Sequence, residues 1–384
     1  MKKILICINN MNMGGIQKSL VELLKQINEQ YDITLFCIKS GGELISLVPS
    51  NIKIVYATKI LRTSELSINE AFHESIHSCF FRIVGSGISK WISKKIPAYL
   101  ATRVFQPYLG EFDAAISFSQ PIEEHQFYML SNEVVLYSCS APIKISFLHC
   151  DYLNYGGNTK YNKKIYMKFD KVAAVSDSVK KRFVETIPEM SNKVFTVYNC
   201  HDYEKIRSLA EENSVIYENK AIVSIARLTK EKGLTRTVEI ISRLINEGYD
   251  ISWHIIGGGP LKQELQQLIK KYNLNNRIFL HGEQINPYKY LKNAFLLLVP
   301  SFHEAAPMVF EEAHALNIPI LTTNTLSAKE LVENKKIGYV CGNTNKEIYD
   351  KLKEIISADI DLVTKDERCD NNEQCNQFKK LIGE

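Results

Sequence analysis

Short apolar runs alternate with amphipathic segments along most of the chain. In the second half, runs at 221–226, 252–257, 277–282, 295–299, 319–323 and 338–341 predict strands. The segments between them, 234–247, 260–272, 286–293 and 307–316, predict helices. In the second of these, Leu261, Leu265, Leu268, Ile269 and Tyr272 recur at helical spacing and define one apolar face. Strands and helices alternating at these lengths predict a parallel sheet covered on both sides. The first half repeats the theme with strands at 3–8, 33–37, 53–56, 114–118, 143–148, 172–175 and 194–198. A long irregular or helical insertion separates the third of these from the fourth.

A chain of 384 residues suggests two domains, each able to bury a core. The expected boundaries are 1–199 for an acceptor-binding domain, 200–365 for a nucleotide-sugar domain, and 366–384 for a tail ending in a short helix that packs back on the first domain. Two doubly wound α/β domains facing each other would bring the carboxyl ends of both sheets to one interdomain cleft, where ligands of such sheets bind.

Composition narrows the class. Hydrophobic residues make up 45% and charged residues 23%, the balance of a soluble globular protein. The apolar start, Ile4 to Ile8, stops at Asn9-Asn10, too short for a secretory signal core, and reads as a buried strand. No apolar stretch approaches the length needed to span a bilayer. The expected location is therefore the cytoplasm, with peripheral contact at the inner membrane face. Nine cysteines occur with no Cys-x-x-Cys pair, which excludes a zinc ribbon and argues for reduced thiols.

Charge is uneven. Residues 1–200 carry 23 Lys/Arg against 17 Asp/Glu, and the remainder 24 against 26. From Ser75 to Gly110 there is no acidic residue, while Arg82, Lys90, Lys94, Lys95 and Arg103 interleave with Phe80, Phe81, Trp91 and Tyr99. That pattern suits either contact with anionic lipid headgroups or an ordinary helix with a solvated basic face. No nucleic-acid motif accompanies it.

The richest stretch for chemistry is 300–320. Pro307 separates Glu304 from Glu312, which places the first acid in a loop at a strand's carboxyl end and the second inside a helix. The backbone N–H groups of Met308 and Val309, in the first helical turn, offer an anion site. Arg227 ends the second domain's first strand and Lys232 precedes the helix that follows, a pair able to clamp a diphosphate. As isolated charges they would equally suit exposed loop positions. In the first βα turn, Gly14-Gly15 can admit a ligand to the backbone or simply satisfy the turn. It is not the Gly-x-Gly-x-x-Gly fingerprint. The turn Gly257-Gly258-Gly259-Pro260 reads as structural.

Together, Gly14-Gly15, Arg227 with Lys232, the Gly257–Pro260 turn, and Glu304 with Glu312 resemble the family 4 retaining glycosyltransferases, also grouped as glycosyl transferases group 1. Their GT-B fold has two Rossmann-like domains. The resemblance implies that Glu312 receives the ribose hydroxyls and that Glu304 meets the transferred sugar. It assigns Arg227 and Lys232 to the diphosphate, approached by Gly15 from the other domain. His149, after the 143–148 strand, resembles a histidine next to the donor sugar. Ser176 and Asn199 match further family positions, although Ser176 or Asp177 also reads as a helix cap. Three positions depart from the pattern: Ala305 replaces a glycine, Ala306 a bulky residue, and Cys200 a glycine.

The function this implies is transfer of a sugar, retaining anomeric configuration, from a nucleoside-diphosphate sugar to a glycan or lipid-linked glycan. The expected setting is bacterial capsule or cell-wall polysaccharide assembly, with a UDP-sugar the favoured donor. No cofactor and no divalent metal is expected. A catalytically silent nucleotide-sugar-binding partner protein of the same fold is one alternative; a nucleotide-dependent oxidoreductase, lacking its fingerprint, is another.

Overall fold

A computed structural model of the chain describes residues 1–121, 126–358 and 369–384. They form two compact units, one of Met1–Cys200 with Asn371–Glu384 and one of His201–Asp370.

Unit 1 is built on seven parallel strands: β1 Lys3–Ile8, β2 Asp32–Cys37, β3 Lys53–Tyr56, β4 Ala114–Ser117, β5 Ile143–Leu148, β6 Lys171–Ala174 and β7 Val194–Thr196. Their order is β3-β2-β1-β4-β5-β6-β7. The central strands are apolar on both faces because helices cover both. Ile4, Ile6 and Ile8 enter one buried cluster, and Leu5 and Cys7 enter another. The insertion between β3 and β4 is helical, and its longest element is Ile76–Trp91. After the second unit the chain returns: the Asn372–Leu381 helix puts Phe378 and Leu381 into the β1 cluster, followed by Ile382. Residues 366–368 of the expected tail lie outside the described residues.

Unit 2 has six parallel strands: β8 Lys220–Ile225, β9 Ile251–Ile256, β10 Ile278–Gly282, β11 Leu296–Val299, β12 Ile320–Thr323 and β13 Gly338–Cys341. Their order is β10-β9-β8-β11-β12-β13. In each sheet the order reverses once, between β1 and β4 and between β8 and β11. Such reversals open a crevice at the strands' carboxyl ends.

Two predicted helices differ in extent. The 286–293 segment is helical only over Tyr288–Leu291, because Asn286 instead uses its side chain to bond Leu209 and the Tyr288 N–H. Pro307 stands just outside the Met308–Ala315 helix as its extended N-cap residue.

Candidate active site

In unit 2, the loops after β8 and β11 meet at the point where the sheet order reverses. Lys232 Nζ donates to Glu304 Oε1 at 2.6 Å, and Ser301 Oγ donates to the same oxygen at 2.8 Å. Both partners of the ion pair are largely shielded from solvent, with side-chain exposures of 19% and 12%. The two loops are tied by the Phe302 N–H on the Glu231 carbonyl at 2.8 Å. They are also locked by Arg236, whose Nη2 donates to the Pro300 carbonyl at 2.6 Å and whose plane lies 3.8 Å over the Phe302 ring. Ser224 Oγ, on β8, bonds the Leu298 carbonyl of β11 at 2.6 Å beneath them.

Arg227 follows β8 and is exposed; its carbonyl accepts from the Thr229 N–H at 2.9 Å, but among the described residues its side chain forms no hydrogen bond or ion pair, though its charge is felt by Glu231. Gly233 closes this loop with φ of 65°, and a Cβ there would stand 2.1 Å from the Pro300 carbonyl oxygen. Gly257 and Gly259 likewise adopt positive φ against the backbone of Ala226 and Leu228, which a side chain would displace. The glycine-rich turn is therefore a packing requirement.

The Met308–Ala315 helix has no side-chain cap, and its Met308 and Val309 N–H groups have no partner among the described residues. Both residues are buried, as is Glu312, at 3% exposure. Its neighbour Glu311 is committed elsewhere: it accepts from Lys335 Nζ at 2.6 Å, from Tyr203 at 3.3 Å and contacts His314 Nδ1 at 3.4 Å. Burial opposes its ionisation, but these bonds and the Lys335 charge prevail and hold it well below the usual carboxylate range.

In unit 1, Gly14 and Gly15 begin the Gly15–Ile27 helix, which also lacks a side-chain cap. Neither requires a left-handed backbone; Gly14 has φ of −175°, and a Cβ on Gly15 would meet nothing within 4 Å. The turn alone does not demand glycine at Gly15. His149 follows β5, its ring stacked on Phe147 and close to Phe118. Burial lowers its pKa to about 3, against a ring hydrogen bond to the Phe118 backbone, so the imidazole is neutral. Among the described residues its Nε2 is buried without a partner, as are Gln120 Nε2 and both side-chain polar atoms of Asn9. These three residues follow β5, β4 and β1, consecutive strands of the sheet. Gln120 Oε1 meanwhile accepts the His149 and Cys150 N–H groups at 2.9 Å. Ser176 is an N-cap, accepting from the Val179 N–H at 3.1 Å, and Asn199 accepts from Ser19 at 2.7 Å.

Among the described residues no cluster of three metal-ligating side chains occurs. One Asp-x-Asp triplet, Asp359-Ile360-Asp361, is present in the chain and lies outside the described residues. A groove of about 660 Å³ near Lys220 and Phe295 lies at the amino ends of β8 and β11, away from the charged loops. Arg236, Ser301 and Gln120 were not expected from sequence. A lone Arg inside an amphipathic helix reads as solvated, and nothing local marks a serine that orients an acid three residues on.

Residues 207–374 match the family model of glycosyl transferases group 1. An uncharacterized glycosyltransferase of Methanocaldococcus jannaschii is 29% identical over 168 residues, 42% of this chain and 41% of that one. The N-acetylgalactosamine-N,N'-diacetylbacillosaminyl-diphospho-undecaprenol 4-alpha-N-acetylgalactosaminyltransferase of Campylobacter jejuni is 28% identical over 232 residues, 59% of this chain and 61% of its own. The chain thus matches about half the length of these relatives. Among solved structures, Anabaena Alr3699/HepE in complex with UDP and glucose superposes with a TM-score of 0.66 at 16% identity, covering 99% of this chain and 96% of that one. The fold is GT-B, with two Rossmann-like units, and the second carries the sequence signature of group 1 glycosyl transferases.

Proposed function

We propose that the protein is a retaining glycosyltransferase of family 4. It would move a sugar from a nucleoside diphosphate, UDP favoured, to a hydroxyl of a glycan or lipid-linked glycan in bacterial surface polysaccharide assembly. The observation that carries this reading is the pairing of Lys232 with Glu304 where the unit 2 sheet reverses. Arg227 and two helix N–H groups stand uncommitted in the neighbouring segments. Lys232, held by Glu304, and the amide dipoles are fixed before the donor arrives and need no reorganisation as charge builds on the departing diphosphate, so they favour the transition state over the ground state.

In this reading Glu304, oriented by Lys232 and Ser301, receives hydroxyls of the transferred sugar, and Glu312 receives the ribose. Arg227, Lys232 and the Met308 and Val309 N–H groups hold the phosphates. Gly15, in unit 1, leaves open space at a helix start, where a phosphate could approach the backbone. The neutral His149 offers a lone pair on Nε2 to a sugar hydroxyl. The leaving phosphate assists removal of the acceptor proton on the same face of the sugar. Protein cations meet the diphosphate charge, so turnover should persist in EDTA.

The UDP in the Anabaena structure and the diphospho-undecaprenol in the Campylobacter enzyme's name favour the donor and acceptor classes. The test is a thermal-shift screen of UDP-, GDP- and ADP-sugars, followed by NMR of the product anomer. Stabilisation by one class, approaching 2.7 kcal/mol at about 100 times Kd, and a retained anomer are expected. Binding without transfer or hydrolysis would assign a silent binding protein, and an inverted anomer would remove the retaining mechanism.

A further inference from the structure

The Ile76–Trp91 helix of unit 1 is inside out. Its buried positions are the small residues Ser78, Gly85 and Ser89. Phe81 packs inward on Phe105 and Phe127, but four large apolar residues face away from the protein: Ile76 is 76% exposed, Phe80 67%, Ile83 51% and Trp91 81%. Ile92 and Ile96 extend this apolar surface at 73% and 47%. A helix serving only the core would present the reverse pattern. Gly85 lets the backbone settle on Phe127, where a Cβ would come within 3.0 Å of the ring.

The helix is held firmly in this orientation. Arg82 donates to the Phe127 carbonyl, and Lys94, itself wholly buried, donates from Nζ to the Tyr128 carbonyl at 2.7 Å. Glu65 is buried near both cations; burial raises its carboxyl to about 7, while Lys94 and Arg82 favour its charged form. These polar anchors fix the inner side of the insertion. They leave the exposed apolar side chains on the outer side, the kind of surface that marks an interaction site.

Charge identifies the occupant. Lys90, Lys95 and Arg103 are exposed beside the stripe, Lys90 Nζ lies 5.4 Å from the Trp91 ring centre, and no acid occurs from Ser75 to Gly110. A second copy docked by the same face would oppose these cations to their own equivalents. A bilayer with anionic headgroups meets both features: the stripe enters the acyl boundary, the tryptophan sits at the interface, and the cations reach the phosphates. We propose that the Ile76–Ile96 face of unit 1 is a docking surface for an anionic lipid bilayer. This inference stands independently of the reaction proposed above.

The chain carries its own reporter. It has two tryptophans; Trp253 is wholly buried, so a change in polarity at the helix falls on Trp91. The full chain is titrated with vesicles of phosphatidylcholine alone and of phosphatidylcholine with phosphatidylglycerol, following emission and co-sedimentation. Mixed vesicles should sediment the protein and shift emission to the blue; neutral vesicles should do neither. The double variant Ile76→Ser, Phe80→Ser should lose both signals while keeping its circular dichroism. The exposed Lys90→Glu change should weaken binding at low salt about fivefold or more. Failure of the wild type to sediment, or wild-type binding by both variants, would overturn the proposal. A lipid-free, concentration-dependent dimer abolished by the double variant would assign the face to a second copy instead. None of these readouts depends on turnover, so the proposed transfer reaction is tested separately.

Discussion

At the scale of single residues, the two cations of unit 2 differ in their structural ties. The Arg227 side chain is exposed and without a bonded partner among the described residues, whereas Lys232 is bonded to Glu304 at 2.6 Å. Arg227→Ala should therefore leave the melting temperature unchanged and lower turnover by roughly 10²-fold. Lys232→Ala should lower turnover similarly and also lower the melting temperature, since the shielded Glu304 side chain would lose its ion-pair partner and keep the Ser301 hydrogen bond. Steady-state kinetics beside thermal denaturation separates the two; unchanged turnover in either variant removes that residue from the leaving-group assignment. His149 yields a prediction in pH. Burial puts its folded-state pKa at about 3, below roughly 6.5 for an exposed imidazole. The fold favours the neutral ring, so its contribution is present above the unfolded value and is lost as pH falls from there toward 3. The denaturant midpoint should drop between pH 7 and pH 5, and His149→Gln should reduce that drop. An equal drop in the variant would place the pH dependence on other groups, His254 among them.

At the scale of elements, the two glycine-bearing starts behave oppositely. Gly233 combines φ of 65° with a carbonyl oxygen 2.1 Å from any added Cβ, so Gly233→Ala should destabilise unit 2 by about 2 kcal/mol or more. Gly15 faces open space at a helix start, so Gly15→Ala should keep or slightly raise stability while lowering turnover about tenfold or more if a diphosphate approaches there. Unimpaired turnover would show that the backbone of that turn is not approached. The sequence makes this difference hard to read, because both are glycines at βα turns and only the dihedral and the neighbouring carbonyl tell them apart. Strands were legible to within a residue or two because each is a short apolar run bounded by turn residues. The 286–293 helix was not, since Asn286 and Asn293 use their side chains on backbone carbonyls of Leu209 and Val215. Glu304 and Lys232 were recognisable as charges near strand ends. Their bond spans 72 positions and depends on how β8 pairs with β11, which no local pattern encodes. The acid-free segment was visible in the sequence. The reversal of its helix was not, because Ser, Gly and aromatic residues at helical spacing do not say which side packs.

At the scale of the whole chain, the last 14 residues belong to the first unit, although the sequence reaches them only after the second. Tyr31 contacts Phe378 edge-on at 6.2 Å and donates its hydroxyl to Glu384 at 2.7 Å, while Lys171 Nζ bonds the Leu381 carbonyl at 2.7 Å. Phe378, Leu381 and Ile382 are each at most 1% exposed. At roughly 1.5–3 kcal/mol for each buried side chain, removing them costs about 5 kcal/mol or more, comparable with the net stability of many domains. Deleting Asn371–Glu384 should thus unfold or strongly destabilise unit 1. Unit 2 has its own sheet and core around Trp253, none of which the deleted residues supply. Its cooperative transition, followed through the emission of Trp253 in a Trp91→Phe background, should survive the deletion with its midpoint nearly unchanged. Loss of that transition would mean that the two cores depend on each other for folding. Survival would make the returning helix a stabilising strap for unit 1 alone, and nucleotide protection of the remaining transition would then test unit 2 as the holder of the donor.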